Sequence, residues 1–327
     1  MRRRVLIALA TGTWVRGAIA ATPPGRLPRV ALVWTAVPAS SMAGINPADP
    51  YTRAIIDGLR ELGVVEGRDI VIERRSAEGD PARFDALMRE MVSLDVDVIV
   101  TWADAVGAAH RATQRIAIVG VMGDPVEAGL AKTFAHPGGN VTGIAEIGVD
   151  SMSKSLQLLS EAVPSVRRVA VLASPAGLAD TRAIEELSSR ARTMLGLELR
   201  WFAADTPESL NAALRSILRD RAHAVMYVGN SFYFAHRHQI ADWAIEQRLP
   251  AIGHRDSAVL LDQGWDLVAV AHDLARFVKR ILDGAPPAEI PFEQPTRYVL
   301  TVNLRTARAI GVELPRSLLL RADEVIE

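Results

Sequence analysis

Tryptophans, aspartates and small hydroxyl or amide residues recur in this sequence directly after short runs of valine and isoleucine. Trp34 closes the run 30–34, and Thr101, Trp102 and Asp104 follow 96–100. Asp124 comes after 116–121, Ser174 after 168–172, Asn230 and Ser231 after 224–228, and His254 after 250–253. An indole stacks on a flat ligand face. A carboxylate suits an ammonium or a hydroxyl. Asn230 and Ser231 can each donate and accept, and the first N–H groups of the helix after them suit a carboxylate. This is the chemistry of reversible binding. Each residue type has a structural use as well: a tryptophan can plug a sheet end, Asp124-Pro125 and Asn230 fit helix N-caps, and a lone histidine such as His254 often serves packing.

Catalytic arrangements are missing from the same loops. The sequence has no P-loop, no G-x-G-x-x-G after a strand, no G-x-S-x-G elbow and no H-E-x-x-H. His236 and His238 lie two apart on an expected helix and point to different faces, which argues against a shared metal. No enzyme activity, no cofactor and no metal are therefore expected.

The elements that position these residues are legible as alternating strand and helix. Apolar runs over 30–34, 70–73, 96–100 and 116–121 are separated by stretches of helical period, as in βα units building a parallel sheet. Asp49-Pro50 and Asp80-Pro81 each read as an N-cap followed by proline at the first helical position. The turn cluster His136-Pro137-Gly138-Gly139-Asn140 then precedes an extended crossing segment, where a first hinge is expected. A second series follows, with strands expected over 168–172, 198–203, 224–228 and 250–253 and a helix opened by Thr206-Pro207. After it come an expected strand over 267–270, a helix over 272–282 and an extended stretch over 297–302. The fold class is α/β: two Rossmann-like lobes with parallel sheets flanked by helices. Residues 28–144 with about 266–288 are assigned to the first lobe, and about 145–265 with 289–327 to the second. Ligands bind beyond the carboxyl ends of parallel strands. That rule selects the loops 38–42 (with Ser40 and Ser41), 101–104, 123–126, 174–177, 229–232 and 253–256.

Composition narrows the function classes. With 327 residues the chain exceeds one ordinary domain, and 49% hydrophobic with 23% charged residues is the balance of a globular protein. A formal net charge of -1 without blocks of like charge provides no footprint for nucleic acid. Residues 1–21 read as an export segment, with Arg2-Arg3-Arg4, a short apolar run and Ala18-Ile19-Ala20 as cleavage site. Its arginines and weakly hydrophobic middle fit a twin-arginine signal, and Sec export fits as well. The chain has no cysteine, which excludes a lipid-modified cysteine behind that segment. A periplasmic, unlipidated, monomeric protein that does not span the membrane is expected.

Several segments together resemble one family. They are Gly58-Leu59-Arg60-Glu61-Leu62-Gly63, Glu66-Gly67-Arg68, Gly123-Asp124-Pro125-Val126, Pro137-Gly138-Gly139-Asn140-Val141-Thr142-Gly143 and Glu293-Gln294-Pro295-Thr296. The chain resembles the substrate-binding proteins of ABC importers, in the group with tryptophan- and other aromatic amino acid-binding members. The resemblance implies a type I periplasmic binding fold, a ligand pocket between the lobes, and an ABC permease with its ATPase as partners. Three departures bear on the ligand: Asn230 stands where the family commonly has an aspartate, Trp265 and Asp266 replace a tyrosine-bearing run, and the loop 42–49 is unlike family members. The function expected is capture of a small polar or aromatic metabolite by hinge closure. A sensory binding protein is the alternative, and an enzyme on a two-lobed scaffold a more distant one.

Overall fold

The computed structural model describes residues 26–146, 148–253 and 258–327. The expected export segment and His254 lie outside them. The first part of the chain forms β1 (Arg29–Trp34), α1 (Pro50–Glu61), β2 (Val71–Ser76), α2 (Phe84–Ser93), β3 (Val98–Trp102), α3 (Asp104–Ala112), β4 (Ala117–Met122) and β5 (Val141–Ala145). The second forms α4 (Gly148–Ala162), β6 (Arg168–Ala173), α5 (Pro175–Ala179), α6 (Thr181–Arg190), β7 (Glu198–Ala203), α7 (Pro207–Arg219), β8 (Ala224–Tyr227), α8 (Ser231–Ala235), α9 (Arg237–Glu246) and β9 (Ala251–Ile252). Then come β10 (Leu261–Trp265), α10 (Leu267–Leu282), β11 (Tyr298–Asn303), α11 (Leu304–Ile310), α12 (Arg316–Leu319) and β12 (Glu324–Ile326).

Two sheets result. The first has the order β2-β1-β3-β4-β5, with all its described pairs parallel. The second has the order β12-β11-β10-β9-β8-β6-β7, parallel except where β10 meets β11. An apolar cluster covers each face of each sheet. That double burial is why β1, β3 and β4 are continuous apolar runs with no polar alternation.

Local signals start the helices where they stand. Asp49 accepts from the Thr52 N–H at 2.7 Å with Pro50 at the first helical position, and Thr206 and Ser209 make a reciprocal capping box at α7. One start was misplaced by the periodicity. The run 267–270 reads as a strand, yet it opens α10, because Asp266 accepts from the Ala269 N–H at 3.1 Å and caps it. A short apolar run cannot by itself separate strand from helix. The actual strand, β10, carries Asp262, Gln263 and Gly264 and lacks the expected pattern.

The chain crosses between the sheets three times, near 146–148, 265–267 and 293–298. After the second crossing α10 returns to the first sheet and packs on α1, with Leu274, Phe277 and Val278 in the same cluster as Ile55 and Leu59. Residues 289–293, assigned above to the second lobe, also belong to the first. Ile290 and Phe292 are buried in its clusters, and Glu293 bridges Ile144 in parallel. Their lack of strand periodicity hid this docking.

Candidate functional site

Each sheet has one place where successive strands leave in opposite directions, and ligands in such sheets bind at that reversal. In the first sheet it lies between β1 and β3, and in the second between β6 and β8. The loops after β3 and β8 approach across the interlobe cleft, where the Ser231 backbone N–H lies near enough to the Asp104 carboxylate to favour its charged form. The lobes also approach at Gly79, where an added Cβ would stand 2.8 Å from Cβ of Ala235. A third contact joins Glu127 of the first lobe to Asp180 of the second.

On the first-lobe side the two tryptophans part ways. Trp34 is only 2% exposed, and its Nε1 donates to Thr52 Oγ1 at 2.6 Å and Asp49 Oδ2 at 3.1 Å. No face of it is left for a ligand, and it serves as a prop. Trp102 packs on it edge to face, with centroids 5.9 Å apart, while the Tyr51 ring lies 6.0 Å from Trp102 at a tilt of 53°. Trp102 itself is only partly buried, so an aromatic surface remains at the end of β3. Thr101 is fully buried and donates to Val33 O at 2.7 Å.

The polar candidates divide by whether they cap a helix. Ser174 accepts from Gly177 N at 3.1 Å and Asn230 from Tyr233 N at 2.8 Å as helix N-caps, whereas Asp124 accepts from Val126 N at 2.7 Å and Glu127 N at 3.1 Å in a non-helical turn. Ser41 donates to Pro38 O at 2.6 Å in a short turn, and Ser40 beside it is exposed. Asp104 differs. It is the first residue of α3, whose N-cap position is held by Ala103 with no side-chain cap bond. Ala103 sits at φ 48° and ψ -127°, a region costly for any residue with a Cβ, on the order of 1–3 kcal/mol. Asp104 is accessible from the cleft, yet the protein around it strips its hydration and raises its pKa, against the lowering effect of the Ser231 N–H.

Ser231 completes this junction. The residue is 2% exposed, and its Oγ is buried with no hydrogen-bond partner among the described residues. Such a group costs free energy unless something fills its place. The site therefore joins an aromatic surface, an uncapped carboxylate and an unpaired hydroxyl.

A hydrogen-bonded chain lies at the crossings. Tyr298 Oη donates to Glu146 Oε1 at 2.7 Å, and the Trp265 indole donates to Tyr298. One residue of each crossing takes part. Burial and the Glu146 carboxylate both push the Tyr298 hydroxyl well above its ordinary range, so it remains a donor. Sequence reasoning flagged Trp265 but missed Tyr51, Glu146 and Tyr298. Tyr51 was findable from its place beside Pro50, since α1 opens from the loop after β1. Glu146 and Tyr298 lie 152 residues apart, and no local spacing joins them.

Two α/β lobes, connected by three crossings and meeting at their strand reversals, define a two-lobed binding protein. Residues 47–326 match the family of ABC transporter substrate binding proteins, and the chain belongs to that family. A tyrosine-binding protein of Clostridioides difficile (strain R20291) is 24% identical over 272 residues, 81% of this chain and 77% of that protein. A conserved domain protein from Vibrio cholerae has a crystal structure with TM-score 0.79 and 25% identity, covering 92% of this chain and 100% of that one. An ABC domain in complex with L-Trp from Streptococcus pneumoniae gives TM-score 0.80 at 21% identity, over 92% of this chain and 100% of the other. The family is one of solute binders, and no helix of the described residues is long and apolar enough to cross a membrane.

Proposed function

We propose that this protein is the exported, unlipidated solute-binding component of an ABC importer, which captures a small polar or aromatic metabolite between its lobes and presents the closed form to a permease and its ATPase. The observation that carries the reading is the meeting of the two strand reversals, with Trp102 and Asp104 on one side and Ser231 on the other. Capture then follows from closure. A ligand that touches both lobes stabilises the closed arrangement by its differential affinity for it, and that state becomes the signal to the permease. The tyrosine-binding relative and the L-Trp complex favour an amino acid-like aromatic ligand.

Thermal unfolding of the purified chain against amino acids, nucleosides, purines and aromatic acids tests this. A ligand at about 100 times its Kd adds about 2.7 kcal/mol and raises the transition visibly. A flat response to every compound would overturn the reading.

A further inference from the structure

We propose that the second lobe carries a further ligand site, remote from the interlobe cleft, that takes a small monocarboxylate with an apolar body. The site is separate from whatever the cleft holds.

A cavity of about 510 Å³ lies between α9, α11 and β12, within the range of about 300–1,000 Å³ usual for small-molecule sites. It stands at the end of β11 opposite the crossings. Tyr298 opens that strand beside Glu146 and Asn303 closes it, so its six residues put roughly 17 Å between the two ends at about 3.4 Å per step.

The polar residues of this cavity differ in depth and in what they have left to bond. Asn303 is only 5% exposed, and its Oδ1 accepts from Thr306 N at 3.0 Å as the cap of α11. Its amide nitrogen has no partner among the described residues, and buried N–H donors in that state cost free energy until an acceptor reaches them. Thr306 is equally buried and spends its hydroxyl proton on Ala258 O at 2.6 Å. Arg305 is exposed at the rim. Its Nε donates to the Glu327 backbone oxygen, while its two terminal nitrogens have no partner among the described residues.

The donors left over therefore belong to a deep amide and to an arginine fork above it, both on the wall of one cavity. Donors of this kind call for a ligand with acceptor oxygens, and the guanidinium favours a charged one. Ile245, Ala309 and Ile326 offer the same ligand an apolar surface for its body. Glu324 limits the charge. Its carboxylate, on the same wall, accepts from Thr301 Oγ1 at 3.3 Å and repels a second negative charge, which favours a monocarboxylate over a phosphate dianion.

Ligand-observed NMR titration of the full mature chain in chloride buffer compares benzoate and isovalerate with benzamide, isovaleramide and inorganic phosphate. The acids are expected to bind about tenfold more tightly than their amides, and phosphate more weakly than either acid. Arg305→Gln should abolish the preference for the acids. Asn303→Asp keeps an oxygen for the Thr306 N–H while turning the free donor into a charged acceptor, and should weaken the acids by about tenfold or more. Unchanged melting transitions of the ligand-free variants certify the fold. A compound held in the cleft should bind both variants as it binds the parent, which keeps this inference separable from the cleft reading. Equal affinity for an acid and its amide, acid binding unchanged in either variant, phosphate binding tighter than the acids, or no binding of either acid would overturn the inference.

Discussion

Two helical glycines allow one substitution to be pushed in opposite directions. Alanine in place of an interior helical glycine should stabilise by about 1 kcal/mol through propensity alone. At Gly107 in α3 the new Cβ meets only the flexible Arg111 side chain, at 3.6 Å, so Gly107→Ala should realise most of that gain. At Gly58 in α1 the Cβ would stand 2.7 Å from the His272 carbonyl oxygen and 2.9 Å from Cβ of Ala275. Both belong to α10, and one is backbone, which cannot rotate away. Restoring ordinary contact requires the helices to separate by roughly 0.5–1 Å, given carbon contacts of about 3.5–4.0 Å. Overpacking of this kind costs about 1–3 kcal/mol, which exceeds the propensity gain. Gly58→Ala should thus lower stability by up to about 2 kcal/mol, with the transition falling by about 2–4 °C per kcal/mol. Denaturant midpoints of the two variants and the parent, at unchanged m-value, supply the comparison. If Gly58→Ala matched or exceeded the stability of Gly107→Ala, the close α1–α10 contact would be refuted.

If the lobes close as proposed, the contact between Glu127 and Asp180 makes that closure pH-dependent. Asp180, hydrogen-bonded to Glu127, raises the Glu127 pKa above its usual value, with burial and the Asp124 charge adding to the effect and Arg182 opposing it. The closed form therefore holds a proton that separated lobes release. Its contribution is full below the ordinary glutamate range and is lost as pH rises through the raised pKa. Ligand affinity should tighten on mild acidification in the parent and lose that component in Glu127→Gln, as read by calorimetry across pH. Tyr298→Phe removes the hydroxyl shared by the three crossings and should weaken ligand binding about two- to tenfold, since one hydrogen bond contributes about 0.5–1.5 kcal/mol. Unchanged affinity would exclude that link from the closing equilibrium. Asp49→Ala deletes the α1 cap and one acceptor of the Trp34 indole, and should cost about 2 kcal/mol in denaturant unfolding. A loss under 0.5 kcal/mol would show that Thr52 alone suffices.

The fold was legible wherever it depended on nearest neighbours. Asp49-Pro50 and Thr206-Pro207 announce helix starts through local hydrogen bonds, and buried parallel strands are apolar on both faces. Asp266 carries the same kind of capping signal, but the Leu267-Val268-Ala269-Val270 run behind it satisfies strand and helix patterns alike. The segment 289–293 has no periodicity at all, and its docking on β5 pairs Glu293 with Ile144, 149 residues upstream. Within the candidate site, loop positions followed from the strand pattern, while the state of each side chain did not. Asp104 and Asp124 look alike in sequence. What distinguishes them is the conformation of Ala103, which turns the α3 start so that no side chain caps it. The unpaired Ser231 hydroxyl and the Glu127–Asp180 contact are products of lobe packing and have no local signature.

The return of α10 and residues 287–293 to the first sheet governs the order in which the protein can mature on the ribosome. The first sheet is complete by Ala145, yet the face beneath Ile55 and Leu59 stays uncovered until Leu274, Phe277, Val278 and Ile290 have been made. Translation of that interval spans all of β6 to β10. A nascent chain therefore carries an open apolar face while its second half is being synthesised, a surface for chaperones to guard. For the same reason a fragment cut at the first crossing would lack its own lid and aggregate, whereas a circular permutant that starts at α10 would deliver that lid ahead of the sheet it covers.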